Sequence, residues 1–134
     1  MNSLQAFLNP VKVENKEVII SNRFVKDGKP VPFIIRPINQ KENDLLIKKY
    51  TKTDTKKGVE SFNRTDYVQA LTAKAVVFPD LTDAELQKQY GLGESECLKN
   101  MLLVGEYATL AQEVRSLSGL EEDINEDIEE AKNS

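Results

Sequence analysis

The sequence predicts an α+β domain in which an N-terminal β-hairpin packs on a small bundle of four to five helices, followed by an acidic tail. Three observations support this prediction. An Asp-Gly pair at residues 27–28 separates two runs rich in β-branched and aromatic residues, which is a strong hairpin signal. Apolar residues recur at helical spacing in the second half of the chain. Acidic residues concentrate near the end, so we expect one domain over residues 1–118 and a tail over 119–134.

The first residues predict a short helix that Asn2 or Ser3 can cap. The Asn9-Pro10 pair ends it, because a residue that precedes proline disfavours the helical region. The apolar face of this helix is formed by Leu4, Phe7 and Leu8.

The predicted hairpin has strands over residues 17–25 and 31–38. Prolines at 30, 32 and 37 lack the backbone N–H that a sheet ladder uses, so we expect the second strand to have one unpaired edge. A two-stranded hairpin is marginal in water and needs helices to cover it.

Two helices are predicted in the middle of the chain. Asn39 and Glu42 have capping-box spacing, which predicts a helix that continues to about Tyr50. Residues 51–58 are polar, which predicts an exposed loop. A second helix is expected from residue 65 or 66 to residue 77, before the Pro79-Asp80 stop.

Three further helices are predicted towards the C-terminus. Thr82 and Glu85 form a capping-box pattern for a short helix that Gly91 closes, and Ser95 can cap the next one. The last helix ends at Gly119. Its apolar residues follow a helical period and are Tyr107, Leu110, Ala111, Val114 and Leu117.

The residue inventory offers little for catalysis. The chain has no histidine, which removes the most frequent general base and metal ligand. Cys97 is the only cysteine and falls among core-type residues, which favours a structural thiol over a reactive one. Acids around residues 80–85 fit first-turn positions favoured by the helix dipole better than a metal site. We therefore expect no catalytic residue, no metal and no cofactor.

Charge and hydropathy point to an intracellular protein that binds neither membrane nor nucleic acid. No apolar run exceeds four residues, and the beginning of the chain lacks a signal-peptide layout. Residues 119–134 hold seven acids and one base, whereas the other 118 residues hold 15 acids and 17 bases. A nearly neutral body with an acidic tail disfavours phosphate binding. The lysines at 52, 56 and 57 indicate a solvated loop more readily than an anion or RNA contact.

The acidic tail carries one thin apolar seam. Leu120, Ile124 and Ile128 recur every four residues. One interpretation is a disordered acidic terminus that aids solubility, and the other is an amphipathic segment that docks on a groove or partner helix.

Several segments together resemble a known family. They are spread in order over most of residues 3–117 and comprise SLQAFLNP at 3–10, EVIIS at 17–21, DGKPVPF at 27–33, VFPDL at 77–81 and MLLVGEY at 101–107. In these segments the chain resembles the XkdN-like phage tail assembly chaperones of Bacillus defective prophages of the contractile-tail type.

The resemblance implies a non-catalytic phage tail assembly chaperone of the bacterial cytoplasm. Such proteins are thought to bind the tape-measure protein, keep it soluble during tail-tube assembly and leave before the tail is complete. Many phages also make a longer frameshifted product, so that form and self-association are further expected interactions. The alternative is a structural tail or head-completion protein, which finished particles would retain at fixed stoichiometry.

The family supplies no binding motif to transfer, so the binding segments are predicted from the residues themselves. Two terminal segments carry apolar side chains that a small domain does not need for its own core. We expect one of them to contact the tape-measure protein or another copy of the chain, unless both dock on their own domain and leave the face of Tyr107, Leu110 and Val114 as the candidate. The predicted partner-binding residues are Leu4, Phe7 and Leu8 at the start, and Leu120, Ile124 and Ile128 at the end.

Overall fold

The computed structural model describes residues 3–120, which contain six helices and seven short strands. The helices are α1 (Leu4–Leu8), α2 (Gln40–Lys49), α3 (Arg64–Ala75), α4 (Ala84–Tyr90), α5 (Glu94–Met101) and α6 (Val104–Leu117). The strands are β1 (Lys16–Val18), β2 (Val25–Lys26), β3 (Lys29–Pro30), β4 (Phe33–Ile35), β5 (Thr51–Asp54), β6 (Val59–Phe62) and β7 (Val76–Phe78). The predicted α+β class is confirmed, with the five helices α2–α6 forming the helical part around the sheet.

A three-stranded antiparallel sheet has β4 at its centre, between β1 and β7. The prediction that the second hairpin strand keeps one unpaired edge is therefore wrong. The paired segment Phe33–Ile35 lies between Pro32 and Pro37, so its own N–H groups remain available for both neighbours.

The helix predicted to reach residue 77 ends earlier, at Ala75, and the chain continues as β7. Val76, Val77 and Phe78 are β-branched or aromatic, and Pro79 follows them through a cis peptide bond. Such residues favour strands, and proline disfavours helix at the residue before it. Pairing with β4 then decides the conformation of this segment.

The tip of the predicted hairpin is confirmed. Strands β2 and β3 pair Val25 with Pro30 and Lys26 with Lys29. Asp27 and Gly28 between them have φ values of 53° and 76°. Two consecutive positive φ angles define the type I′ turn that matches strand twist.

Residues 51–58, predicted to be a loop, instead contribute to a second hairpin of β5 and β6 with four residue pairs. The Asp54 carboxylate accepts the Lys56 N–H at 3.0 Å, and Gly58 has a φ of 64°. This hairpin is exposed as predicted, apart from the half-buried Thr51, because the alternating polar side chains leave neither face apolar enough for the core.

Local capping signals were accurate at α2 and displaced at α4 and α5. The Asn39 side chain accepts the Glu42 N–H at 2.9 Å, and the Glu42 carboxylate accepts the Asn39 N–H at 3.3 Å, so this capping box is confirmed. Helix α3 starts one residue before the predicted range. The actual N-caps of α4 and α5 are Asp83 and Gly93, so the assignments to Thr82 and Ser95 were wrong.

The core lies between the inner face of the sheet and helices α3, α5 and α6. Its most buried large side chains include Ile35, Leu98 and Leu110, each with no exposed area, and Val114 with 1%. The predicted α6 stripe is confirmed, with Leu110, Ala111 and Val114 buried and its two ends half-buried. No helix within residues 3–120 is long and apolar enough to cross a membrane.

Replacing Gly28 with valine tests the turn. A β-branched residue is strained at a φ of 76°, so we expect Gly28→Val to lower the free energy of unfolding. The expected loss is about 1 kcal/mol or more. Gly105→Ala is the control. Gly105 lies in α6, an added Cβ there would have open space around it, and alanine favours helix. Equal thermal midpoints for Gly28→Val and the parent chain would contradict the turn assignment.

Candidate partner-binding surface

The first residues form an apolar arm outside the core. We call residues 3–15 the N-terminal arm, in which every residue is exposed. Its helix α1 has no buried residue, and the exposed fractions are 52% for Leu4, 80% for Phe7 and 62% for Leu8. Three of the six residues predicted for partner binding thus lie together on a segment outside the core cluster. Ser3 makes no side-chain cap, while Asn2 lies outside the described residues.

The arm joins the body where β1 begins. Lys16 forms a salt bridge with Glu113 of α6 at 2.8 Å, and Val18 is buried against the core. The start of β1 is thus held by β4 on one side and by α6 on the other. The arm therefore extends from a fixed point of the sheet.

An apolar groove, which we call the hairpin groove, lies between the tip of the first hairpin, the end of β7 and helix α4. Its volume is about 380 Å³. The lining is largely apolar and includes Phe24, Val31, Pro32, Phe78, Leu86 and Tyr90. Sequence reasoning missed this groove because its walls come from segments that lie between Phe24 and Tyr90, up to 66 positions apart, and that only the fold brings together.

One ion pair fixes the hairpin against the helices beside this groove. The Arg23 guanidinium donates to the Glu106 carboxylate at 2.5 and 3.0 Å and to the Met101 carbonyl oxygen at 3.1 Å. These bonds connect the first hairpin to the start of α6. Hydrogen bonds from Arg23, from the Ser21 hydroxyl and from the Leu103 N–H lower the pKa of Glu106 to about 2.

The outer face of the sheet adds a second apolar surface. The strand register places Glu17, Ile34 and Phe78 side by side across β1, β4 and β7. Ile19 follows Glu17 by two residues and is 60% exposed. Phe78 belongs both to this face and to the hairpin groove, so the two apolar surfaces are continuous.

The predicted tail seam is described only at its first residue. Leu120 is half-buried and packs against the core, with its N–H donating to the Arg115 carbonyl oxygen at 2.7 Å. Leu120 therefore differs from the arm residues, which lie outside the core cluster. Ile124 and Ile128 lie outside the described residues.

The groups considered for chemistry have structural roles here. Cys97 is fully buried in α5, and burial, with a smaller effect of Asp83, raises the pKa of its thiol and so disfavours the nucleophilic thiolate. Asp80 accepts hydrogen bonds from Thr82, while Asp83 caps α4. Residues 3–120 contain no cluster of three or more side chains suited to holding a metal ion.

Comparison with known proteins decides the family. Residues 4–132 match the family described as phage XkdN-like tail assembly chaperone proteins. The chain belongs to this family. The resemblance seen in the sequence segments is thereby confirmed.

Two proteins of Bacillus subtilis strain 168 are similar to this chain. The phage-like element PBSX protein XkdN is 32% identical over 129 residues, which cover 92% of this chain and 87% of XkdN. The uncharacterized protein YqbN is 33% identical over 127 residues, covering 90% and 85% respectively. The crystal structure of YqbN matches with a TM-score of 0.72 at 27% identity and covers 89% of this chain and 98% of that chain.

Acid titration tests the ion pair beside the hairpin groove. The pKa of Glu106 is about 2 in the folded chain, and an unfolded glutamate titrates near ~4.3. The carboxylate therefore stabilises the fold above the unfolded pKa, and this contribution is lost as the pH falls towards the folded pKa. We expect Glu106→Gln to lower the thermal midpoint at neutral pH, and the gap to the parent chain to close as the pH falls from about 5 to 2.

Glu60→Gln is the matched control, because it removes an exposed carboxylate from β6 by the same chemical change. We expect it to keep the acid dependence of the parent chain. A gap between Glu106→Gln and the parent that stays constant over this pH range would show that the ion pair does not contribute as described.

Proposed function

We propose that this chaperone binds the phage tape-measure protein and keeps it soluble while the tail tube assembles, without catalysing a reaction. It acts in the bacterial cytoplasm and is absent from the finished particle. The observation that carries the proposal is the apolar N-terminal arm, whose residues are exposed and lie outside the core cluster of the described residues. Membership of the tail assembly chaperone family supports a role in tail assembly.

The arm has the energetics of a reversible binding element. Phe7 and Leu8 are 80% and 62% exposed, so a partner can remove most of their surface from water. Complete burial of such a side chain is worth about 1.5–3 kcal/mol. A helix of five residues is marginal alone, and ordering it on a partner offsets part of this gain. These opposing contributions make the binding strong enough to cover an apolar partner and weak enough to release it.

The tail is the second proposed binding segment. Its seam of Leu120, Ile124 and Ile128 offers apolar side chains in an acidic background, and the acids keep coated partners apart by mutual repulsion. We also propose the division into a domain over residues 1–118 and a tail over 119–134. A longer frameshifted form or a second copy of the chain would contact the same apolar segments.

Co-expression with the tape-measure protein tests the arm. We expect the double variant Phe7→Ser and Leu8→Ser to remain folded, because neither side chain contributes to the core. Loss of the apolar face should shift most of the tape-measure protein from the soluble fraction to the pellet, as measured by sedimentation and gel densitometry.

Gln5→Ser is the control, since it changes an exposed polar residue of the same helix. It should keep the tape-measure protein soluble. If the double variant keeps its partner as soluble as the parent chain does, the arm is not the binding element.

A further inference from the structure

The N-terminal arm has a second part, between helix α1 and strand β1, whose backbone is unpaired. We call residues 11–15 the linker segment. They follow Pro10 and lead directly into β1. Within residues 3–120, none of the five takes part in a hydrogen bond, and all are exposed, with Val11 at 97% and Val13 at 58%. An unpaired segment that continues a strand offers its N–H and C=O groups to another chain.

The linker segment has the side-chain pattern of a strand. Its sequence VKVEN alternates valines with charged residues, and valine favours strands. Because side chains alternate between the two faces of a strand, Val11 and Val13 would share one face, and Lys12 and Glu14 the other. The same alternation, continued through β1, puts the valines on the side of Ile19, which is 60% exposed. The valines therefore extend the exposed outer face of the sheet.

The order of the charges makes the linker segment complementary to a second copy of itself. In an antiparallel pair centred on Val13, Lys12 of each chain lies opposite Glu14 of the other, and the two Val13 side chains face each other. Opposite charges across neighbouring strands stabilise the pairing, whereas like charges directly opposite destabilise it. Lys12 and Glu14 form no ion pair with any residue of the described chain, so both are available.

Neighbouring registers lack this complementarity. Centring the pair one residue earlier or later places Lys12 or Glu14 opposite its own copy, which sets like charges together. A pair centred on Asn15 opposes Glu14 to Lys16, whose ammonium group already bonds to Glu113 at 2.8 Å. The charges therefore favour the register described above.

We propose that two copies of the chain pair antiparallel through residues 11–15, in the register centred on Val13. Each chain contributes the same surface, so the contact closes as a two-fold dimer. The start of β1 is held by β4 and α6, and the linker segment therefore loses less freedom on pairing than a free peptide does. Two strands alone are marginal in water, and the four valines that the dimer partly removes from water add to its stability.

Pairing through residues 11–15 leaves helix α1 outside the contact, since Pro10 separates the two. A dimer would then carry two α1 helices for the tape-measure protein, and this consequence rests on the proposed function. The pairing itself does not, because it involves only copies of this chain.

Disulfide trapping of the full-length chain, with oxidised glutathione as the oxidant, tests the register. In Val13→Cys the two introduced thiols face each other, with Cα atoms about 5 Å apart, which suits a disulfide. In Val11→Cys the introduced residues are four positions out of register, about 13 Å apart along the strands. We expect Val13→Cys to form the covalent dimer at least tenfold faster, although Val11 is the more exposed of the two. Cys97 is buried and should stay reduced, as peptide mapping can verify.

Charge reversal tests the pairing without a cross-link. Lys12→Glu and Glu14→Lys each place like charges opposite one another at both ends of the pair, so each should weaken the dimer about tenfold in sedimentation equilibrium. An equimolar mixture of the two variants restores both opposite-charge pairs and should dimerise as tightly as the parent chain. Lys52→Glu is the matched control, because it makes the same change of charge on an exposed strand elsewhere and should leave the dimer unchanged.

Three results would overturn the proposal. They are a parent chain that sediments as a monomer throughout the micromolar to millimolar range, equal cross-linking rates for the two cysteine variants, and a mixture of charge variants that dimerises no better than either alone. Circular dichroism should confirm that the charge variants keep the fold, since both side chains are exposed. Each of these results leaves tape-measure binding by α1 unaffected, so failure of the dimer and failure of the proposed function are distinguishable.

Discussion

Strand β4 has hydrogen-bonded neighbours on both of its edges, and the rest of the structure depends on that position. Its residue Ile35 has no exposed area, and the adjacent Arg36 N–H donates to the Ala75 carbonyl oxygen at 2.9 Å. The Arg36 guanidinium then holds the Glu42 carboxylate at 2.7 and 3.1 Å, so the end of the strand is tied to the capping box of α2. The bonds of Arg36 thus join the sheet to α2 and to the end of α3. The lowered pKa of Glu42 has this hydrogen bond from Arg36 as its main cause.

This arrangement explains why the apolar arm stays outside the core. Strand β1 occupies one edge of β4, and β7 occupies the other. The inner face of the sheet is covered by helices, and the residues before Lys16 lie outside the core cluster. Phe7 is 80% exposed, and the proposed contact with a partner would remove this surface from water.

Features encoded by neighbouring residues were predictable, whereas features that need distant segments were not. The Asn39–Glu42 capping box and the Asp27-Gly28 turn depend on side chains within a few positions of one another. By contrast, Val76–Phe78 has the composition of either a helix end or a strand, and only its pairing with β4 decides between them. The polar character of β5 predicts a loop over residues 51–58, but its threonines fit a strand and β6 supplies the pairing.

The candidate binding residues divide in the same way. Leu4, Phe7 and Leu8 could be found from the sequence because three apolar side chains precede a proline and stand apart from the core pattern. The hairpin groove could not be found from the sequence. Phe24, Phe78 and Tyr90 have the character of ordinary core residues, and only the fold shows that they line an open groove. Leu120 was predicted as part of a binding seam, and its packing against the core depends on the turn at Gly119, which sequence spacing alone does not specify.

Hydrogen exchange, measured by mass spectrometry on the chain alone and in complex with the tape-measure protein, tests the central claim most directly. That claim is that a preformed core presents an exposed arm to the partner. Amides of Leu4–Leu8 should exchange rapidly in the free chain and slowly in the complex, while those of Phe33–Ile35 stay protected in both. Unchanged exchange in the arm, together with slowing confined to the sheet or to the helices of the body, would contradict the account.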